Sequence, residues 1–241
     1  MKTTFFALCF AVFFSSVATA DNFVVGIEEQ EFLPHYSLRS DQFTGFAADL
    51  FALFSETSQH KLEFKAIPRQ HIVQKLQSGE IDFRYPDNPK WQASIKGADI
   101  VYSDNIVAYT EGSLVTKEKA EIGVDGLKTI GIVRGREPIA YLELLNNGKL
   151  HARESSDLDT LIKSTLLGRV EAAYYNTEVA LYRLNKMGIG NDLLISNQLP
   201  SVSGYFSLST LRHKTLIEEF NQFLQQNQGA IAELKAKYQL Q

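Results

Sequence analysis

Cysteine is nearly absent. The 241 residues include one, Cys9, and it lies inside the apolar run Phe5 to Phe14. From residue 21 onward the chain has no thiol, which excludes disulfides, cysteine nucleophiles and thiolate metal sites there and suits an oxidising compartment. No later run is long and apolar enough to span a bilayer, which takes about 20 residues. Cationic excess is also missing: 24 Lys and Arg stand against 28 Asp and Glu, a net charge of -4. A mildly acidic chain lacks the basic patches that nucleic-acid binding requires. Neither H-E-x-x-H nor G-x-S-x-G occurs, and Gly131 to Gly135 is neither a G-x-G-x-x-G run nor a P-loop. The histidines at 35, 60, 71, 151 and 213 have no metal-type spacing. No catalytic residue, metal or cofactor is therefore expected, and there is no internal repeat.

What is present begins with an export signal. Lys2 precedes the apolar stretch FFALCFAVFF, and Ala18-Thr19-Ala20 fits a small-residue cleavage site. Charge, a short apolar core and a small-residue exit describe a secretory signal peptide over residues 1–20, with export through the Sec pathway. Cys9 has no lipobox around it, so a lipid anchor is not expected. Cleavage before Asp21 would remove only Lys2 among the charged side chains.

The remaining chain alternates strand and helix signals. Phe23 to Ile27 reads as a buried strand, Phe46 to Phe54 as a buried helix, and Leu62 to Ile67 as a strand of period two. Ile72, Val73 and Leu76 have helical spacing, with Gly79 placed to end that helix, and Ile81-Asp82-Phe83 opens another strand. The pattern restarts at Lys128 to Val133. Ser156-Asp157-Leu158-Asp159 caps a helix, Val170 to Tyr175 forms a strand, and a helix follows from Thr177 to Lys186. Leu216 to Leu224 and Ile231 to Tyr238 are two final amphipathic helices. Alternation of this kind predicts parallel sheets flanked by helices. The second unit is read as inserted in the first, with crossings near 103–112 and 199–206 and a ligand cleft between.

Short elements in this order resemble family 3 of the bacterial periplasmic solute-binding proteins, the polar amino-acid type. Gly45-Phe46-Ala47-Ala48-Asp49-Leu50 is similar to its G-[FY]-x-x-D-L element, and Leu76 to Asp82 to its L-x-x-G-x-x-D element. Val101-Tyr102-Ser103, Gly131 to Gly135 and Gly168-Arg169-Val170-Glu171-Ala172 continue the series. The resemblance implies an α/β, two-lobed periplasmic-binding-protein fold of type II. Residues 21–107 and 203–241 would form the first lobe and 108–202 the second. It further implies a monomeric periplasmic component that passes a small solute to a membrane ABC permease. A sensor subunit for a membrane receptor and a dehydratase-like enzyme are the alternatives. Asp49, Gly79, Asp82, Gly168 and Glu171 are read as scaffold.

The charged anchors depart from the family pattern. No arginine stands where the family binds a ligand α-carboxylate; Arg84, Lys90 and Lys96 are the cations nearby. Asn176 occupies the position of the ammonium-binding aspartate, and Arg136 that of a small hydroxyl residue. An unpaired buried ammonium is costly, so an ordinary zwitterion is a poor default ligand. Arg84 and Arg136 favour a carboxylate-bearing solute, whereas Glu28 and Glu29 at the rim would favour a cation. The expected ligand-binding set is Glu28, Phe32, Arg84, Tyr85, Asp87, Asn88, Trp91, Arg136 and Asn176. Phe32 is taken as the stacking ring, and Tyr85 and Trp91 as aromatic walls. Arg84 has a surface pair with Asp87 as its bland alternative, Arg136 a pair with Glu137, and Arg69 a salt bridge at the start of its helix.

Overall fold

A computed structural model describes residues 21–241. The signal-peptide reading of residues 1–20 falls outside the described residues. The elements in chain order begin with β1 (Asn22–Glu28), β2 (Ser37–Arg39), β3 (Gln42–Thr44), α1 (Phe46–Ser58), β4 (Lys61–Ile67), α2 (Arg69–Ser78), β5 (Phe83–Asp87), α3 (Ala93–Lys96) and β6 (Val101–Tyr102). The middle comprises β7 (Val107–Thr116), β8 (Thr129–Val133), α4 (Leu142–Asn146), β9 (His151–Ser155), α5 (Leu158–Leu166), β10 (Ala172–Asn176), α6 (Thr177–Lys186) and β11 (Leu193–Ile195). The chain returns through β12 (Val202–Thr210), α7 (Lys214–Gln226) and α8 (Gln228–Lys237). Among the described residues no helix is long and apolar enough to cross a membrane.

One curled sheet runs through the molecule in the order β4-β1-β5-β12-β7-β10-β8-β9, with β6 beside β12 and β11 beside β7. Its two ends are parallel: β1 pairs with β4 and β5, and β8 pairs with β9 and β10. These ends are the cores of the two lobes. Between them lies an antiparallel ribbon in which Val107 to Glu111 pair with Phe206 to Val202. Beyond the ribbon, β7 joins β10 in one lobe and β12 joins β5 in the other. The segments 103–112 and 199–206, read from sequence as crossings, overlap β7 and β12 in part.

Helical periodicity explains the first-lobe packing. Phe46, Ala47, Leu50, Phe51 and Phe54 form the buried stripe of α1, and Leu216, Ile217, Phe220, Phe223 and Leu224 that of α7. They meet as an aromatic cluster, with Phe220 at 5.7 Å from Phe51 and 5.0 Å from Phe54, ring centre to ring centre. The acidic residues of the family elements serve this scaffold. Asp82 accepts from the Val24 amide at 2.8 Å and contacts His213, Glu171 accepts from the Lys128 and Thr129 amides, and Asp49 binds Lys237 and Tyr238. Asp157 caps α5 by accepting from the Thr160 amide, as its sequence context predicts.

Gly45 links the scaffold to the cleft. Its φ of 98° lies in the region that favours glycine, and a Cβ there would stand 2.9 Å from the His35 carbonyl oxygen and 2.9 Å from the Tyr36 Cα. The first amides of α1 then donate to the loop, Phe46 to the Pro34 carbonyl and Ala47 to the His35 carbonyl. That loop carries Phe32. Gly45→Ala should cost about 2 kcal/mol or more, read as a lower urea midpoint at unchanged slope. Gly148, also at positive φ but facing open space, should cost only about 1 kcal/mol as alanine. Equal losses would mean that close approach at Gly45 contributes nothing.

Candidate functional site

Parallel pairing brings three charged side chains to one end of the first-lobe sheet. Glu28 closes β1, Arg69 opens α2 directly after β4, and Arg84 lies on β5 in register with Gly26. Strand carboxyl ends in such sheets are where crevices form. Glu28 is 4% exposed and has three guanidinium neighbours: Arg69 at 2.7 Å, Arg84 at 3.7 Å and Arg136 at 3.7 Å. Burial raises the Glu28 carboxyl's pKa, but Arg69, Arg136 and Arg84 together outweigh it and hold the group below the usual carboxylate range.

Arg136 crosses from the second lobe, on the turn after β8. Its guanidinium carbon is 4.9 Å from the Phe32 ring centre and 4.7 Å from that of Tyr175. The two rings are 6.1 Å apart, so the cation sits in the corner they form. Its other acidic neighbour is Glu111 of the ribbon, at 3.7 Å. Burial raises the Glu111 pKa, and the nearby Arg136 and Arg69 only partly offset that. Gln30 supports the arrangement by donating to Glu28 at 2.7 Å, and it receives the Tyr175 hydroxyl at 3.5 Å across the cleft.

Trp91 forms a wall beside this cluster. It packs against Tyr109 and Phe206, with the Arg69 guanidinium 5.9 Å above its ring. Arg69, Trp91, Glu111 and Arg136 surround a narrow gap there. On the other side of the Glu28–Arg136 contact the cleft widens to a cavity of about 690 Å³. Glu29, Glu31, Arg39 and Arg69 line it from the first lobe, and Asp159, Lys163, Tyr182 and Arg183 from the second.

The structure therefore brings Glu28, Phe32, Trp91 and Arg136 together, with Arg84 behind Glu28. It moves Tyr85 elsewhere: the ring is fully buried in the first-lobe core, edge-on to Phe51. As a central strand, β5 is covered on both faces, and Tyr85 points to the helix side. Asp87 is committed to Arg84 at 3.5 Å, Lys96 at 2.5 Å and the Ser209 hydroxyl, all buried. The Arg84–Asp87 pair is a buried one, not a surface one. Asn88 donates to the Tyr205 carbonyl and accepts from the Lys90 amide. Asn176 caps α6 by accepting from the Val179 amide, which leaves its buried amide nitrogen without a partner. Arg136 pairs with Glu28 and Glu111 rather than Glu137. Glu111, Tyr175 and Gln30 complete the cluster without having been singled out from sequence.

Over residues 23–241 the chain matches the sequence profile of the bacterial extracellular solute-binding proteins, family 3, and it belongs to that family. No curated protein matches it. Solved structures similar to it include an ancestral arginine-binding protein bound to arginine, 20% identical with a TM-score of 0.72 over 90% of this chain and 97% of that one. A substrate-binding protein of an ABC uptake transporter from Streptococcus pneumoniae, with bound histidine, is 18% identical with a TM-score of 0.71 over 90% and 92%. The ancestral amino acid-binding protein AncCDT-1, a precursor of cyclohexadienyl dehydratase, is 18% identical with a TM-score of 0.70 over 90% and 95%. At these identities the likeness establishes the two-lobed fold.

A carboxylate with a depressed pKa stabilises the fold fully above its unfolded value of about 4.3, and this contribution is lost as pH falls through the folded pKa. Glu28→Gln removes the carboxylate that Arg69, Arg84 and Arg136 share, leaving Arg84 to Asp87 and Arg136 to Glu111, and should cost about 3 kcal/mol at neutral pH. The deficit should shrink below about pH 4.3, because the unfolded chain takes up a proton there while folded Glu28, its pKa lowered, resists protonation. Denaturant melts at pH 7 and pH 3.5 measure it. A deficit independent of pH would show that the charge of Glu28 is not what matters.

Proposed function

We propose that the protein is an exported solute-binding protein that closes its lobes around a small carboxylate-bearing solute, an amino acid or a related acid. Delivery to a membrane ABC importer is the role this implies. Opening and closing take place about the β7–β12 ribbon. The observation that carries the ligand class is the charge around Glu28. One carboxylate is shared by Arg69, Arg84 and Arg136. Arg84, fully buried with no hydrogen bond to any of its three nitrogens, lies behind Glu28 and between it and Asp87. Arg69, Arg84, Arg136 and Lys96 share Glu28, Asp87 and Glu111, which leaves one positive charge over, and Arg69, partly exposed at the cleft, is placed to offer it. Guanidinium forks accept a carboxylate in two parallel hydrogen bonds.

A second reading, catalysis on the same fold, is favoured by Glu111. Its carboxyl is buried at the cleft and held above the ordinary range, as a general acid requires. Incubating each bound solute with the protein and following it by NMR separates the two: solute recovered unchanged supports binding alone.

Thermal melts against amino acids, dicarboxylates, polyamines and sugars test the ligand class. A ligand at a thousandfold its Kd adds about 4 kcal/mol, or roughly 8–16 °C at this size. Carboxylates should give such a shift, and Arg69→Met, which keeps the apolar stem but not the charge, should abolish most of it. Shifts from polyamines or neutral sugars alone would contradict this reading.

A further inference from the structure

The space that an organic cation would take in this cleft is filled by the protein itself. Two aromatic faces, Phe32 and Tyr175, stand at right distance for a cation, and two carboxylates, Glu28 and Glu111, stand beside them. These walls have three origins: Glu28 and Phe32 come from the first lobe, Tyr175 from the second and Glu111 from the ribbon. The group they enclose is the guanidinium of Arg136. Both of its acidic neighbours are at ion-pair distance, 3.7 Å, so charge and ring faces hold it rather than short hydrogen bonds. A competing cation would have to displace a group tethered on the turn after β8, whose effective concentration is high.

We propose that Arg136 is a specificity-determining residue: a tethered cation that occupies the cation site of the cleft, bars guanidinium and ammonium solutes from it, and leaves room only for ligands bearing negative charge. The proposal rests on the cleft being the solute site. It accounts for a cleft that contains a cation cage yet presents net cationic side chains to the ligand. It also predicts that specificity can be reversed by one truncation, because Arg136→Ala removes the cation and keeps every wall of the cage.

Methylguanidinium chloride at low millimolar concentration, with sodium chloride as the ionic-strength control, is the probe. Calorimetric titration of the purified protein should detect no binding. Arg136→Ala should bind methylguanidinium at least about tenfold more tightly, a difference of about 1.4 kcal/mol, and adding Phe32→Ala should reduce that gain. Arg136→Lys, which restores a tethered cation, should exclude the probe as the unmodified protein does. The contrast between lysine and alanine also guards against a folding defect, since a cleft wrecked by loss of arginine would bind the probe in neither variant. Equal affinity in the unmodified protein and Arg136→Ala would overturn the proposal, as would binding to Arg136→Lys as tight as to Arg136→Ala. The carboxylate panel run in parallel keeps the two ideas apart. A carboxylate shift without a guanidinium gain overturns only the role of Arg136. A guanidinium gain without any carboxylate shift supports the cage and removes the carboxylate reading.

Discussion

Glu28 is one carboxylate with three guanidinium groups around it, nearly sealed from water. An isolated buried charge costs several kcal/mol, and a pair breaks even only when its geometry is good. The elements that surround Glu28 are therefore bound to particular positions. The parallel register of β1 with β4 brings the start of α2, and with it Arg69, alongside. The pairing of β1 with β5 places Arg84 beneath. Neither lobe supplies the full set, because Arg136 comes from across the cleft.

That distribution makes the contact between lobes conditional. The sheet is continuous through the ribbon, and side chains also meet across the cleft, Arg136 with Glu28 and Phe32, and Tyr175 with Gln30 and Phe32. In the closing motion proposed above, these contacts would form or break about the ribbon, and a modest free energy would decide between open and closed. The proposed solute, by adding charge complementary to Arg69, would act on that balance directly. The wide cavity beyond the Glu28–Arg136 contact is the space it would occupy.

Much of the fold could be read from the sequence, and for physical reasons. The α1 and α7 stripes, the glycine stop after α2 and the Asp157 cap are local signals, and each is found where periodicity and capping chemistry put it. β9 was not visible, because four of its five residues are exposed and give no apolar alternation. The site divided in the same way. Glu28, Phe32 and Arg136 follow strand ends, so topology alone carries them to the crevice. Tyr85 was misplaced because a strand buried on both faces has no alternation to say which side chain points where. Glu111 and Tyr175 were missed because they lie inside strands, and only the register of β7 with β10 and β12 brings them to the cleft. Arg84 and Asp87 were read as ligand contacts, with a surface pair as the alternative, and their burial beside Lys96 shows a network that no local pattern encodes.

Glu28 and Arg136 should be energetically coupled across the cleft. A double-mutant cycle of Glu28→Gln and Arg136→Met, followed by denaturant unfolding, measures that coupling alone. Charge pairs in partly desolvated contacts give coupling energies of about 1.5 kcal/mol or more, and a value of that size is expected here. Additive single and double variants, with a coupling within about 0.3–0.5 kcal/mol of zero, would show that the two lobes are not held through this pair.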